Sequence, residues 1–171
     1  MATPYELLLG MSLLQEKKRL QHQKDKQSEG NRFIQLNING NEIFVRQRDI
    51  EEIISVSQIT GIANSKAWFK GLTSFRGSLL PLIDMSILLN GKDEQKSTSP
   101  EMRVLVIKTI DGLLGLCVEK VEGIQHHWLE KQNNNENTPS YCQLYKKQNN
   151  ELVSVLLIDE IRKSRELLNI K

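Results

Sequence analysis

Residues 71–84 read GLTSFRGSLLPLID, and the second half of this stretch, residues 78–84, is an apolar run that ends in Ile-Asp. A similar run, VSVLLID, occupies residues 153–159, and aligning the two matches Leu82 with Leu157. Short apolar runs bounded by turn residues are typical of buried β-strands. We therefore expect two related β units in one chain, each built around one of these strands.

The aspartate at the end of each strand predicts the start of a helix. A carboxylate in this position accepts hydrogen bonds from the free N–H groups of the following turn, so Asp84 and Asp159 are predicted N-caps of helices at residues 85–89 and 160–169. Within the first strand, Pro81 suits an edge strand because proline has no N–H to donate to a neighbour.

Two predicted β-hairpins repeat at a constant offset along the sequence, so that Arg32 in the first corresponds to Arg103 in the second. Residues 32–36 (RFIQL) correspond to residues 103–107 (RVLVI), and each run is followed by a second apolar run. The connections, Asn39-Gly40-Asn41 and Asp111-Gly112, contain residues that tolerate positive φ, as tight turns require. The other corresponding positions are Ile43 and Val45 with Leu114 and Leu116, Ile50 with Val121, and Ile53 with Ile124.

The repeated hairpins predict a mainly β fold of two small antiparallel barrels with short helices, because closing a sheet removes its exposed edges. The first barrel is expected to take residues 32–95, and the second residues 96–171 with a C-terminal helix. Polar residues 90–101 are expected to link the halves, and residues 130–150, rich in Asn, Gln and Lys, to form a partly disordered loop. The joint between the barrels is the expected place for a partner.

The N-terminal residues have a different pattern from the body. Leu7, Met11 and Leu14 recur at helical spacing, so residues 1–20 are predicted to form an amphipathic helix. Residues 21–31 are almost wholly polar and are expected to be a linker. The segment begins without a basic stretch and shows no small-residue cleavage site, so we expect no secretion signal.

Composition indicates a soluble protein of ordinary domain size. The chain has 171 residues, of which 39% are hydrophobic and 26% charged, and its formal net charge is +2. No apolar stretch approaches the roughly 20 residues that cross a bilayer, so we expect no direct membrane insertion. The charge excess is too small to indicate a polyanionic partner. Two cysteines without a C-x-x-C spacing favour a reducing cytoplasm.

The sequence carries no recognisable catalytic or metal-binding motif. Phosphate-binding, zinc-protease and nucleophile-elbow motifs are absent, so we expect neither an enzyme nor a cofactor. Neighbouring residues His126 and His127 point in different directions on a strand or a helix and are poorly placed to share a metal. Cys117 is expected in the core, and Cys142, in a polar stretch, is expected to be exposed.

A small barrel that binds single-stranded nucleic acid is the alternative interpretation. Such a protein needs aromatic platforms among basic residues. Aromatic residues make up only 5% of the chain. The nearest candidates are Trp68-Phe69-Lys70 and Phe75-Arg76, which lie before a predicted buried strand, so we expect no nucleic-acid partner.

The spacing G-x-x-x-x-R-G-x-x-x-P-x-x-D in residues 71–84 resembles the signature of CheW-like domains. Two further segments, Gly115-x-x-Val118-Glu119-x-Val121 and Ile50-Glu51-Glu52-Ile53, are similar to other motifs of that family, and the resemblance covers roughly residues 32–168. The opening residues 4–9 and the tryptophan before Gly71 are similar to the PilI branch, which serves pilus-driven twitching. The departures from the family pattern are Lys66 for proline, Ser74 for asparagine, Met85 for leucine and Cys117 for valine.

The resemblance implies two five-stranded SH3-like barrels and a non-enzymatic adaptor. It implies that the adaptor couples a methyl-accepting chemoreceptor to a CheA-type histidine kinase, with type IV pilus twitching motility as the output. By resemblance, the signalling tip of the receptor, a helical hairpin, docks between the barrels. The regulatory domain of the kinase docks at the end of a barrel.

Arg76 and Glu52 are the first predicted protein-binding residues. A guanidinium held by a carboxylate still presents donors to a partner, and the alternative is that the two side chains form only a structural ion pair. Ile50, Ile53 and Val56 are predicted to line an apolar groove for the receptor helix, with simple core packing as the alternative.

Trp68 and Phe69 complete the predicted protein-binding set. Large aromatic side chains before a turn glycine favour an anchor for a partner. The alternative is that the tryptophan plugs the base of the first barrel. Arg162, Lys163 and Arg165 are expected on the solvated side of the last helix.

Overall fold

A computed structural model describes residues 32–90, 99–127, 129–164 and 167. The predicted N-terminal helix, the linker at 21–31 and most of the linker at 90–101 lie outside the described residues. The strands are β1 (Arg32–Ile38), β2 (Asn41–Arg46), β3 (Glu52–Ile54), β4 (Phe69–Phe75), β5 (Ser78–Asp84), β6 (Arg103–Thr109), β7 (Gly112–Val118), β8 (Lys120–His126), β9 (Leu129–Lys131), β10 (Cys142–Lys147) and β11 (Leu152–Leu156). The helices are α1 (Met85–Asn90), α2 (Ile158–Lys163) and a 3₁₀ turn (Gln47–Asp49).

The strands form two sheets, which confirms the predicted mainly β fold. One sheet has the order β8-β1-β2-β11-β10-β9 and the other β3-β6-β7-β5-β4. Each sheet contains one parallel pair, β2 with β11 and β5 with β7. The sheets therefore have six and five strands and are mixed, whereas we expected five antiparallel strands in each.

The two halves of the chain exchange strands. Both β1 and β2 come from the first half but pair with β8 and β11, while β6 and β7 pair with β3 and β5. Each half therefore supplies one hairpin to one sheet and its remaining strands to the other. The expected boundary between residues 95 and 96 does not coincide with the boundary between the sheets.

The two predicted hairpins form with tight turns. In the first, Asn39 and Gly40 have φ values of 54° and 74°. The side-chain oxygen of Asn37 accepts a hydrogen bond from the N–H of Gly40 at 3.0 Å. In the second, Gly112 has a φ of 135°. Glycine adopts positive φ freely and asparagine more readily than most residues, so these positions let the strands reverse at little steric cost.

The repeat of the hairpins holds in three dimensions, because Ile34 lies opposite Val45 and Leu105 lies opposite Leu116. The third repeated element, the strand that precedes each helix, does not follow the expected alignment of Leu82 with Leu157. Leu82 lies opposite Gly115, and Val155 lies opposite Phe44, so the structural counterpart of Leu82 is Val155 and not Leu157. A shift of two residues preserves the alternation of a strand, so the sequence pattern fits both alignments equally well.

The corrected alignment changes which residues begin the helices. The Asp84 carboxylate accepts a hydrogen bond from the Ser86 N–H at 3.0 Å, so its predicted capping role is confirmed. The structural counterpart of Asp84 is Leu157, which occupies the N-cap position of α2. Asp159 lies inside the helix and pairs with Arg162 at 3.1 Å. The prediction that Asp159 caps a helix beginning at residue 160 is therefore wrong.

Two further expectations about strands need correction. Strand β5, which carries Pro81, lies between β7 and β4 and is not an edge strand. Its pairing with β7 begins only at Leu82, after the proline, so the missing N–H removes no bond of that ladder. Residues 130–150 are not a disordered loop, since they contain the end of β9 and all of β10. The Asn134 side chain orders the connection by accepting a hydrogen bond from the Leu144 N–H at 2.9 Å.

Apolar side chains fill both faces of each sheet. The largest cluster lies between the sheets and includes Ile34, Val45, Leu105, Leu116 and Ile158; we call it the inter-sheet core. A second cluster, around Leu80, Leu82 and Val104, packs on the other face of the five-stranded sheet. A third, around Phe33 and Phe44, packs on the other face of the six-stranded sheet. No helix within the described residues is long and apolar enough to span a bilayer.

Both cysteines belong to the core. Cys117 is buried, as expected, and Cys142 is buried as part of the inter-sheet core, so its predicted exposure is wrong. The polar residues around Cys142 misled the prediction, because they belong to a strand edge and a connection while its own side chain points inward. Burial raises the pKa of each thiol to about 12.

Candidate docking surfaces

Arg76 occupies the tight turn between β4 and β5. Phe75 pairs with Ser78, so the turn has two residues, Arg76 and Gly77, with φ values of 49° and 78°. Positive φ at both positions is the geometry of a type I′ hairpin turn. For a residue with a Cβ this conformation costs about 1–2 kcal/mol. The turn therefore projects an arginine away from the sheet at some cost to stability.

The Arg76 guanidinium contacts Glu52 and Phe75. The distance from Arg76 Nη2 to Glu52 Oε2 is 2.5 Å, and the guanidinium carbon lies 5.0 Å from the centre of the Phe75 ring. The Arg76 side chain nevertheless remains 73% exposed. An exposed pair of this kind contributes about 0–1 kcal/mol to stability. The structure brings the two predicted residues together, while their role in binding stays a prediction.

The two edges of the five-stranded sheet meet near this pair. Strands β3 and β4 are the opposite edges, yet Glu52 of β3 reaches Arg76 beyond β4. Thr60, which follows β3 in the chain, exchanges two backbone hydrogen bonds with Leu72 of β4, both 2.8 Å long. At Gly71 a Cβ atom would lie only 2.4 Å from the Thr60 carbonyl oxygen. The signature glycine therefore permits the close approach that joins the two edges.

The three predicted groove residues differ in exposure. Ile53 is exposed on the edge strand β3. Ile50 packs against the inter-sheet core, and Val56 packs against the cluster on the far side of the five-stranded sheet. Ile53 lies opposite Leu105, an inter-sheet core residue, so it continues the apolar face between the sheets out to the surface. Of the three, Ile53 offers a partner the most surface.

The two predicted aromatic anchors are largely used in packing. Phe69 is buried and lies opposite Ile83 at the start of β4. Trp68 is half-buried and packs against the inter-sheet core. Next to them, Lys70 and Asp84 form a partly buried ion pair with a distance of 2.7 Å. These residues support the fold at the start of β4, at the opposite end of that strand from Arg76.

An exposed apolar patch lies at one end of the five-stranded sheet and was missed by the sequence prediction. Because β5 and β7 are parallel, the turns that precede them lie at the same end. Leu79, Ile110 and Leu113 are exposed there, Ile110 to 90%, and we call these three residues the end patch. Strand alternation places Leu79 and Leu113 on opposite faces of the sheet, with Ile110 in the turn at its end. One signal in the sequence could have found it: Ile110 stands in the second hairpin turn where the first has Asn39.

Arg162, expected to be solvated, links three parts of the fold. Its guanidinium donates hydrogen bonds to the carbonyl oxygens of Lys108 at 2.8 Å and Asp49 at 3.2 Å, in addition to its pair with Asp159. Lys163 is exposed as expected. Arg165 lies outside the described residues.

The histidine and cysteine side chains of the described residues do not assemble a metal site. Within the described ranges, no group of three or more His, Cys, Asp or Glu side chains could hold a metal ion. His127 lies edge-on to Phe44 with ring centres 5.2 Å apart and hydrogen bonds to Gln125 at 2.6 Å. Burial and the nearby Lys147 lower the pKa of His127. The two buried thiols carry little thiolate near neutral pH, which disfavours them as nucleophiles.

The fold defines a mainly β protein of two sheets, with an exposed arginine in a tight turn and exposed apolar residues at one edge and one end of the five-stranded sheet. The CheW-like domain family matches residues 32–166, most of the chain. The chain therefore belongs to the CheW-like domain family.

Curated relatives agree with this family. The chain is 33% identical to protein PilI of Pseudomonas aeruginosa over 78 residues, which are 46% of this chain and 43% of PilI. It is 31% identical to the chemotaxis protein CheW of Thermotoga maritima over 77 residues, 44% of this chain and 48% of that protein. It is 28% identical to CheW of Klebsiella aerogenes, covering 56% of each chain. The chain thus spans about half the length of the curated relatives it matches.

A solved structure has the same fold. The scaffolding protein TtCheW from Thermoanaerobacter tengcongensis superposes with a TM-score of 0.63, covering 74% of this chain and 83% of that one. The sequence identity is 14%. This similarity supports the two-sheet architecture independently of the sequence motifs.

Proposed function

We propose that this protein is a non-enzymatic cytoplasmic scaffold that couples a methyl-accepting chemoreceptor to a CheA-type histidine kinase. Membership of the CheW-like family supports the role of a scaffold, and the similarity to PilI supports a pilus-linked chemosensory system that controls twitching motility. The observation that carries the proposal is the exposed Ile53 on the edge strand β3, where the apolar face between the sheets reaches the surface. The Arg76–Glu52 pair lies on the other face of the same strand.

The receptor tip, a helical hairpin, fits the β3 edge on chemical grounds. A helix docks by placing apolar side chains against an apolar strip and by satisfying charges at its rim. Ile53 supplies the apolar contact, backed by Ile50 in the inter-sheet core. Arg76 supplies donors that remain exposed although Glu52 fixes the guanidinium. This site uses Ile53 and Arg76 directly, with Ile50 and Glu52 as their supporting residues.

The kinase regulatory domain fits the end patch. Leu79, Ile110 and Leu113 stand at the end of the five-stranded sheet, and Ile110, exposed to 90%, is the apolar side chain there that a partner would cover most. The receptor and kinase sites then lie on one sheet, joined by short strands and by the Arg162 hydrogen bonds. Rigid placement of this kind lets a small receptor movement alter the equilibrium of the kinase between active and inactive states.

Binding assays with single substitutions test the two sites separately. We expect Ile53→Ser to weaken binding of the receptor tip roughly tenfold and Ile110→Asp to weaken binding of the kinase domain by a similar factor, because each removes an exposed apolar contact. Leu152→Ser is the matched control for both, since Leu152 is also an exposed apolar residue but lies on β11.

Arg76 has its own pair of variants. Arg76→Ala is expected to weaken receptor binding several-fold, while Arg76→Lys, which keeps the charge but loses the planar fork, is expected to be intermediate. If neither Ile53→Ser nor Arg76→Ala changes the affinity while the fold persists, the β3 edge is not the receptor site. If single-stranded DNA binds and neither protein partner does, the scaffold proposal itself is wrong.

A further inference from the structure

The internal repeat gives the protein a second apolar edge, on β8. Ile124 lies opposite Ile34 just as Ile53 lies opposite Leu105, and the two exposed isoleucines occupy corresponding positions of the repeat. Ile34 and Leu105 both belong to the inter-sheet core, so Ile124, like Ile53, continues that apolar face to the surface. Ile124 is 55% exposed on a strand that has no neighbour on its outer side among the described residues.

The chain enters the body beside this edge. Arg32, the first residue of β1, lies opposite His126, and Ile34 lies opposite Ile124. The entry point is therefore only two residues, about 7 Å of strand, from the exposed isoleucine. Whatever precedes Arg32 in the chain starts next to Ile124 and remains tethered there.

The segment before Arg32, residues 1–31, carries the complementary chemistry. Its sequence places Leu7, Met11 and Leu14 on one predicted helical stripe. The predicted linker, residues 21–31, lies between this stripe and β1 in the sequence, and a flexible linker of that length would have a typical end-to-end distance of about 18 Å. A tether of this kind gives the stripe an effective concentration in the millimolar range at the β8 edge. The stripe is therefore long enough, apolar enough and close enough to cover Ile124.

We propose that the stripe formed by Leu7, Met11 and Leu14 docks on the β8 edge of the same chain and covers Ile124. The occupant is this segment of the protein itself and not a second copy, because the attachment point lies at the surface to be covered. The duplicated fold then presents one open apolar edge, at Ile53, and one closed edge, at Ile124.

Disulfide trapping in the full chain tests the docking directly. With Met11→Cys and Ile124→Cys, mild oxidation of dilute protein is expected to form an intramolecular disulfide, seen as a mobility shift and by mass. The native Cys117 and Cys142 stay silent because they are buried. A disulfide requires Cβ atoms to approach within about 4.5 Å, so only frequent contact produces it efficiently.

Glu16→Cys with Ile124→Cys is the matched control. Glu16 lies closer to Arg32 along the chain than Met11 does, so an undocked tether brings it to Ile124 more often. Docking by the stripe reverses this order, because Glu16 lies on the opposite side of the predicted helix. We expect the Met11 pair to form several-fold faster than the Glu16 pair. Equal rates, or a faster Glu16 pair, overturn the proposal.

Hydrogen exchange provides a second test without introduced cysteines. Amides of residues 5–20 are expected to exchange more slowly in the wild type than in Ile124→Ser, by several-fold. Leu152→Ser is the control, because Leu152 is 54% exposed, nearly the same as Ile124, but lies on β11. The docking is contradicted if the amides of residues 5–20 show no protection from exchange in the wild type, or if both variants lose the same amount of protection.

The consequence for signalling rests on the proposed function. If the receptor tip uses the Ile53 edge, a closed β8 edge limits the scaffold to one receptor helix tip. Replacing Leu7 and Leu14 by serine is then expected to raise the stoichiometry of receptor binding from one to two. A stoichiometry that stays at one refutes this consequence, whereas a failure of all receptor binding together with positive disulfide trapping refutes the proposed function and leaves the docking intact.

Discussion

Gly71 determines how closely two edges of the five-stranded sheet approach. Its φ of 137° is a conformation that glycine adopts readily, and a Cβ there would lie 2.4 Å from the Thr60 carbonyl oxygen. We expect Gly71→Ala to lower the free energy of unfolding by about 2–4 kcal/mol, through strain and displacement of the Thr60 segment. Urea denaturation followed by circular dichroism measures this change.

Gly61 is the control for that prediction. A Cβ at Gly61 meets no atom within 4 Å and its φ is not in the left-handed region, so Gly61→Ala is expected to change stability by less than about 0.5 kcal/mol. If the two variants are equally stable, the close approach at Gly71 does not contribute to the fold. The glycine was identified from its spacing to Arg76, but its neighbour Thr60 could not be, because Thr60 lies in the connection between β3 and β4, whose path the sequence pattern does not specify.

The buried thiols predict how stability changes at alkaline pH. Burial raises the pKa of Cys117 and Cys142 from the ordinary 9.0 to about 12, so the unfolded chain loses these protons first. The free energy of unfolding is therefore unaffected by the thiols below pH 9 and falls as pH rises from 9 towards 12. Denaturation at pH 8 and pH 10.5, with Cys142→Ala as the comparison, measures the effect.

In that comparison, the variant removes the thiol but leaves the other titrating groups unchanged. We expect its loss of stability between the two pH values to be smaller than that of the wild type. An equal loss in both proteins means that the Cys142 thiol ionises as easily in the folded chain as in the unfolded one. The sequence could not predict this burial, since Cys142 is surrounded by polar residues whose inward or outward direction depends on strand register.

At the scale of elements, the start of α1 depends on a single side chain. The Asp84 carboxylate accepts the Ser86 N–H and also pairs with Lys70 at 2.7 Å. We expect Asp84→Ala to destabilise the protein by about 1–2 kcal/mol through loss of the cap and of the ion pair. Asp159→Ala is the matched control: Asp159 lies within α2 and its exposed pair with Arg162 predicts a change below about 0.5 kcal/mol.

The same comparison separates two interpretations of the repeat. If the two aspartates corresponded, as the alignment of Leu82 with Leu157 implies, both alanine variants would lose a cap and be destabilised equally. The parallel pairings match Leu82 with Val155 instead. Sequence periodicity identified the strands and hairpins but could not distinguish these alignments, because both keep the same residues on the same face of the strand. Equal destabilisation would contradict the assignment of Leu157 as the N-cap.

At the scale of the whole molecule, the exchange of strands decides which parts of the surface can be predicted. Arg76, Glu52 and Ile53 each lie in a short sequence motif, so the sequence could single them out individually. The end patch depends on the parallel pairing of β5 with β7, and the burial of Phe69 and Trp68 depends on packing against strands distant in sequence. Contacts of this kind arise from pairing across the halves, which local patterns do not specify.

The exchange also predicts that the protein unfolds as one unit. The six-stranded sheet contains β1 and β2 from the first half with β8 to β11 from the second, and the inter-sheet core joins both sheets. Neither half can lose its structure without exposing apolar surface of the other. We expect Val155→Ala in β11 to lower the free energy of unfolding by about 1 kcal/mol. The free energy of opening of the slowest-exchanging amides should fall by the same amount in β6 and β7 as in β1 and β2.

Native-state hydrogen exchange at low urea measures these amides individually. Gly61→Ala, which is expected to cause no large loss of stability, is the reference for the exchange rates. If Val155→Ala accelerates exchange only in the sheet that contains β11, the sheets open independently and the scaffold cannot transmit strain between them. Uniform acceleration supports a single cooperative body, which is the property that the proposed coupling of receptor to kinase requires, because a flexible joint would absorb a small movement of the receptor before it reached the kinase.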